Sequence, residues 1–285
     1  MKRLFSKILL IILLPALLTF GLSQYVPVPV FQIQKANAAF AAFRTLTAKA
    51  GVSSGSVTSY LFDGTEDRLD IADSASWDLF GSAVTDRTIS AFVRLDSAAA
   101  SSQLIVGQSE STADRWAFYH SASSGLTALL RTGNLNTVIL SDGSVTISDT
   151  NIHHVAFCKK SAEYGLYFDG AQVAYVSDSS TDTFAASLFI GGSSETADWS
   201  GNIDEVLIEH DDTFGAVPVV GLTDTITVPT VEHTSNSNVK LLIHCNEDID
   251  TGTTGSGATF TESGNDSVTV TEVNEAIRDT TNGKF

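Results

Sequence analysis

Basic residues are scarce: 16 Lys and Arg stand against 33 Asp and Glu among 285 residues, a formal net charge of −17. Neutralising a phosphate backbone takes clustered cationic side chains, so this balance excludes a nucleic-acid partner. Charged residues of either sign make up only 17% of the chain while hydrophobic residues make up 43%, which excludes a disordered acidic tail and permits a sizeable core. Cysteine is limited to two residues, and there is no Cys-x-x-Cys, no Gly-rich phosphate loop and no nucleophile elbow. Beyond residue 50 no 12-residue window shows a helical period, and long apolar runs are missing as well. The length fits one large all-β domain or two small ones.

One long apolar run does occur, at the N-terminus. Lys2, Arg3 and Lys7 precede an uncharged stretch from Ile8 to Leu22, and Ala36-Asn37-Ala38 follows it. These are the three regions of a secretory signal, with cleavage expected after Ala38 and the protein secreted or displayed at the cell surface. The competing reading is an uncleaved membrane anchor, since Leu4 to Leu22 is ~19 residues, near the minimum for a bilayer span. Membrane association is expected only in that case. Cleavage would leave 12 basic and 33 acidic residues, a formal charge of −21. Residues 39–50, rich in Ala, read as an N-terminal arm, extended or as a short helix.

The rest reads as strands. Short β-branched or aromatic runs bounded by turn residues span Val57 to Phe62, Thr88 to Leu95, Gln103 to Val106, Trp116 to His120, Leu126 to Arg131, Val138 to Leu140 and His153 to Lys159. Further runs cover Gly165 to Phe168, Gln172 to Val176, Ser187 to Ile190 and Ile203 to His210. Ile89, Ala91, Val93 and Leu95 alternate onto one face. Asp169-Gly170 predicts a type I′ hairpin. A dozen short strands at this spacing predict an all-β, two-sheet antiparallel sandwich. Residues 213–238, with Pro218 and Pro229, read as a connector carrying one strand at Thr225 to Val228. Cys158 and Cys245 each lie in an apolar strand; export would allow a disulfide between them, and two buried free thiols are the alternative.

Read in order, these pieces resemble the laminin-G-like, concanavalin A-like jelly roll of the lectin/glucanase type. The resemblance is carried by Ser59-Tyr60-Leu61-Phe62-Asp63-Gly64, Asp73-Ser74 with Trp77, Thr88 to Val93 and His153-His154-Val155-Ala156-Phe157. It continues through Leu166-Tyr167-Phe168-Asp169-Gly170, Phe189-Ile190-Gly191-Gly192 and Gly201-Asn202-Ile203-Asp204-Glu205-Val206. Ile152 stands where the family usually has Trp. The family's opening elements are found at the other end of the chain, as Val239 to His244, Asn246-Glu247-Asp248, Glu262 to Asp266 and Gly283-Lys284-Phe285. On this resemblance residues 51–212 form the sandwich and residues 239–285 supply its displaced first strands, as in a circular permutation. Closure within one chain, exchange into a neighbouring molecule and the start of a second domain all fit the sequence.

The same resemblance frames the chemistry. A retaining glucanase needs two carboxylates about 5 Å apart on one strand face. Asn202 and Val206 occupy the positions where they would stand, so no catalytic residue is expected. The family often binds calcium at the sheet rim, and Asp63 and Asp204 hold the matching positions, with Asp266 a third candidate; Ca2+ is the only cofactor expected. His153 and His154 are adjacent on a strand and point to opposite faces, so they read as structural. Trp116 and Trp199 read as core, whereas Trp77 in a polar loop is the candidate for stacking on a sugar ring. Two functions fit: a non-catalytic exported recognition module for carbohydrate or a surface protein, and a structural subunit that self-associates by strand exchange. A glycoside hydrolase ranks third.

Overall fold

The computed structural model describes residues 58–80, 85–97, 101–143, 147–193, 198–246, 259–264, 266, 268–274 and 276–285. The signal segment and the arm, residues 1–50, lie outside the described residues. In chain order the strands are β1 (Ser59–Asp63), β2 (Arg68–Ile71), β3 (Arg87–Leu95), β4 (Ser102–Ser109), β5 (Arg115–Ser121), β6 (Gly125–Thr132), β7 (Leu135–Asp142) and β8 (His153–Lys160). They continue as β9 (Glu163–Phe168), β10 (Ala171–Ser177), β11 (Leu188–Ile190), β12 (Ser200–Glu209), β13 (Val239–Ile243), β14 (Thr259–Thr261), β15 (Thr269–Val273) and β16 (Ile277–Asp279). A 3-10 turn, Ala75–Trp77, is capped by the Ser74 hydroxyl accepting from the Ser76 N–H.

Two antiparallel sheets result. Sheet I runs β10-β9-β8-β3-β12-β1-β16, with β13 also paired to β12; sheet II runs β14-β15-β2-β11-β4-β5-β6-β7. Alternation explains the layering. Ile89, Ala91, Val93 and Leu95 of β3 enter the main core, as do Trp116 and Phe118 of β5 and Leu126, Ala128 and Leu130 of β6. The β9–β10 hairpin turns on Asp169 (φ 46°) and Gly170 (φ 86°), the left-handed pair that its sequence predicts. The predicted connector strand is reduced to one bridge between Thr225 and Ala171.

The strand β12 organises sheet I. One edge pairs with β3 along most of its length, from Gly201 to Glu209. The other edge is shared end to end: Ser200 to Ile203 pair with β1, and Val206 to Glu209 pair with β13. Strands from the two ends of the described chain therefore occupy one line. The closure continues elsewhere, because β16 pairs with β1 and β15 with β2. At the C-terminus the Phe285 carbonyl accepts from the Thr58 N–H at 3.1 Å. Gly283 is required there, since a Cβ at that position would sit 1.9 Å from the Thr58 carbonyl oxygen. The strands of 239–285 thus lie in the same two sheets as 58–209.

The burial of β13 generates a stability test. Leu241 and Ile243 are 0% and 1% exposed and share the core with Phe62 and Val206. Substituting both with Asp is expected to lower the unfolding free energy by roughly 3 kcal/mol or more, through two buried unpaired charges. A chemical-denaturation midpoint matching that of wild type would show that β13 is not part of the sandwich.

Candidate functional site

The strand that the sequence brings forward for chemistry is bent at the critical point. Between Asp204 and Leu207 the register of β12 against β3 slips, and Glu205 adopts φ 50°. This bulge puts Val206 in the core at 0% exposure. Positions 202, 204 and 206 therefore do not form one outward row, and no pair of carboxylates spans a cleft there. Asn202 is occupied structurally, accepting from Arg94 Nη1 at 2.9 Å and donating to Ser59 Oγ and Asp279 Oδ2.

Asp204 and Glu205 are instead buried beneath a roof. Asp204 accepts backbone N–H groups from Glu205 at 2.8 Å and Lys284 at 2.7 Å. Glu205 accepts the His233 N–H at 2.9 Å and bonds His244 Nδ1 at 2.5 Å. Burial raises the Asp204 carboxyl to about 7, a shift that the Lys284 N–H opposes and the Glu205 charge adds to. The bond to Glu205 raises His244. His154 lies between Phe92 and Phe214, ring centroids 4.9 and 5.4 Å away, and burial lowers it to about 3. Neither of its ring nitrogens has a hydrogen-bond partner among the described residues. The roof is the connector, held by Tyr167 Oη donating to Asp224 at 2.7 Å, Gln172 Nε2 to the Val219 carbonyl and Ile226 N–H to the Gly170 carbonyl. Ala216 and Ile226 close a small apolar cluster over Ala156, Cys158 and Tyr167.

Several sequence expectations change here. Trp77 is fully buried, its indole N–H donating to the Ala72 carbonyl at 3.0 Å; the Ser74 cap turns it into the core, so it offers no stacking face. Cys158 and Cys245 are both free thiols, one under the roof of sheet I and one in the main core, so no disulfide joins them. Asp63, Asp204 and Asp266 are not brought together. Asp63 is an exposed turn residue whose Oδ1 accepts the Thr65 N–H. Asp266 accepts from the Ser76 hydroxyl and faces Lys240 at 3.6 Å. Both Asp204 oxygens already face N–H donors, the reverse of what a cation requires. Among the described residues no three His, Cys, Asp or Glu side chains form a metal-sized group.

The outer face of sheet II is different, for no apolar cluster of the described residues is packed on it. Its residues follow from register. A central row crosses the sheet as Asp70, Phe189, Gly107, Ala117, Leu129 and Ile139. On one side of this row lie Ser109, Arg115 and Arg131; on the other lie Leu104, Tyr119, Thr127 and Ser141. The floor is low where Gly107 meets Ala117. A Cβ on Gly107 would approach the Trp116 carbonyl oxygen to 2.8 Å, so the strand admits no side chain there. Phe189 and Tyr119 are half-buried, and Ile139 is 51% exposed. Burial raises the Tyr119 phenol, against a Thr127 hydrogen bond and the Arg115 charge. The result is a face whose centre is largely buried, with Leu104, Ala117, Thr127 and Leu129 at 2%, 5%, 0% and 8% exposure and two half-buried aromatic side chains beside them. The sequence carried a signal for it: Trp116 in the core forces Arg115, Ala117 and Tyr119 onto the opposite face.

Residues 50–211 match the family profile described as the concanavalin A-like lectin/glucanases superfamily, Laminin_G_3. No curated protein matches the sequence. Among solved structures, a candidate carbohydrate binding protein of Bacteroides ovatus is similar at 14% identity and TM-score 0.49, over 78% of this chain and 59% of that one. The mouse laminin α1 chain domains LG4-5 are similar at 15% identity and TM-score 0.42, over 54% of this chain and 42% of that one. The CBM40 of Ruminococcus gnavus IT-sialidase is similar at 17% identity and TM-score 0.41, over 52% of this chain and 89% of that one.

The roofed carboxylates predict a pH dependence of stability. Asp204 titrates near 3.8 when unfolded and about 7 when folded, so the folded protein holds an extra proton across that window. Its contribution is fully present below about pH 4 and is lost as pH rises through 7. Asp204→Asn cannot titrate. Relative to wild type, its stability is expected to rise between pH 4 and pH 8, by roughly 4 kcal/mol as an upper bound. Urea denaturation at both pH values measures this; a constant difference between the two proteins would place Asp204 at an ordinary carboxylate value.

Proposed function

Because the chain belongs to the concanavalin A-like lectin/glucanase superfamily, we propose that it is a non-catalytic recognition module that binds carbohydrate across the outer face of sheet II. One observation carries this reading. Of the two outer faces, that of sheet I is roofed by the connector and the C-terminal residues, whereas no apolar cluster of the described residues is packed on that of sheet II, where Phe189 and Tyr119 flank the low Gly107–Ala117 floor. Aromatic side chains supply flat apolar area for the C–H faces of a sugar ring, and the polar rows on either side supply donors and acceptors for its hydroxyls.

The bulge supports a non-catalytic role, because it removes the two positions at which a glucanase strand would hold its acid and nucleophile. The N-terminal sequence features support export, with the module secreted or displayed at the cell surface.

Tyr119→Ala and Phe189→Ala test the face directly. Each is expected to weaken binding to the ligand found on a glycan array by about tenfold, equivalent to ~1.4 kcal/mol. Both variants should keep the thermal midpoint close to wild type, since neither side chain belongs to the core between the sheets. Val217→Ser and Val231→Ser, on the exposed side of the connector at 59% and 71% exposure, should bind as wild type. Loss of binding in the connector variants alone would move the site to sheet I.

A further inference from the structure

We propose that the first half of the connector, residues 213–226, is an acid-released roof: proton uptake by His154 lifts it from the outer face of sheet I while the sandwich beneath stays folded. Sheet II plays no part in it.

Along β8 the side chains of His154, Ala156 and Cys158 alternate onto the outer face of sheet I, beneath the connector. The His154 imidazole is 1% exposed and is enclosed by Phe92 of β3 on the sheet side and Phe214 of the connector on the roof side. Phe214 also meets His233 in a T-shaped contact at 6.0 Å. The Nε2 of His233, like both ring nitrogens of His154, is buried with no hydrogen-bond partner among the described residues. A neutral imidazole can be held in such a layer. An imidazolium carries two N–H donors and a full charge, and the layer provides an acceptor for neither donor. Phenyl rings return only part of the hydration it would lose. Water reaches His154 most cheaply by removal of the connector, which is held by the small cluster of Ala216 and Ile226 and by bonds to Tyr167, Gly170 and Gln172. Moving β8 instead would open the main core.

The charged groups around His154 are committed elsewhere. Asp169, at the end of β9, accepts the His154 backbone N–H at 2.9 Å through one oxygen and faces His153 Nδ1 at 2.8 Å with the other. From the C-terminus, Lys284 Nζ sits 5.4 Å over the Phe92 ring, so a second cation against that ring meets a like charge. On β12, Asp204 lies opposite Phe92 and accepts the Glu205 and Lys284 N–H groups, while Glu205 is bonded to His233 and His244. In and beside the connector, Asp212 accepts the Ala216 N–H, and Asp224 accepts the Val217 N–H and the Tyr167 hydroxyl. Burial is the largest influence on His154 and keeps it neutral down to about 3, against 6.5 for the exposed ring. The closed roof is thus fully favoured above pH 6.5 and loses about tenfold for each pH unit below it, until about pH 3. Asp204 takes up its proton with the opposite sign, but both its donors lie outside residues 213–226, and lifting that segment leaves them in place.

The two free thiols report the two layers separately, because Cys158 lies under the connector and Cys245 in the main core. Labelling the full chain with a pyridyl disulfide, which stays reactive in acid, gives each cysteine a protection factor relative to the unfolded chain at the same pH; peptide masses assign the sites. From about pH 7.5 to about pH 4.5 the protection of Cys158 is expected to fall about 100-fold while that of Cys245 holds. His154→Phe keeps a ring in the layer and cannot titrate, so its Cys158 protection should stay within about threefold over the same range. His154→Gln, also neutral, should behave alike and serves where the phenyl variant does not fold. Constant Cys158 protection in wild type would overturn the acid-released roof. So would an equal acid loss in a folded neutral variant, or Cys245 losing protection in step with Cys158.

Discussion

Burying two adjacent carboxylates in the middle of a sheet is the constraint around which this molecule is arranged. Asp204 and Glu205 are 3% and 1% exposed, and buried carboxylates persist only where donors surround them. The donors come from three distant segments: Lys284 at the C-terminus, His233 in the connector and His244 beyond β13. Each of these contacts also fixes a backbone path. The C-terminal residues are drawn over Phe92, with Phe285 edge-on to its ring at 5.4 Å. The connector is drawn across the outer face of sheet I, and β13 is held in line with β1. The bulge, the shared edge of β12 and the roof are one feature seen at three scales.

That arrangement makes the two sheets unequal. Sheet I spends its outer face on internal packing, including the Leu207, Val239 and Leu242 cluster as well as that around Cys158. Sheet II has no apolar cluster of the described residues on its outer face. Its central positions mix small, aromatic and aliphatic side chains, with Gly107 and Ala117 between Phe189 and Leu129. Gly107, Ala117 and Tyr119 make poor core and serviceable floor.

Most of the fold was legible in the sequence because sandwich strands advertise themselves by period and by turn residues. Ile89 to Leu95 alternates cleanly, and Asp169-Gly170 marks its hairpin. The short strand Arg68–Ile71 escaped because four residues give too little periodicity, and Thr225 to Val228 failed as a strand because only Thr225 makes a bridge. Of the site, less could be read. Trp77 looked exposed because its neighbours are polar; a short local turn, with Ser74 capping Ser76 and the indole bonding Ala72, accompanies its burial. Asp204 looked like a rim ligand because a one-residue bulge is invisible to an alternation pattern, and that bulge decides which side chains leave the sheet. Tyr119 and Phe189 were hidden inside runs read only as strands, since alternation assigns opposite faces without saying which face is covered.

The shared edge of β12 also has a bearing on the order of folding. Strand β1 at Ser59–Asp63 pairs with β16 at Ile277–Asp279, and Asn274 reaches back 209 positions to the Thr65 carbonyl. Such separations raise contact order and slow the closing step. A nascent chain can assemble β4 to β7 and β8 to β10 as successive hairpins, but β12 keeps part of one edge unpaired until β13 has been made. The carboxylate of Asp204 waits longer, for residue 284. Until then the partial sandwich presents an open strand edge beside an incompletely solvated acid pair, a species that favours a late and concerted closure over stepwise growth from the N-terminal side.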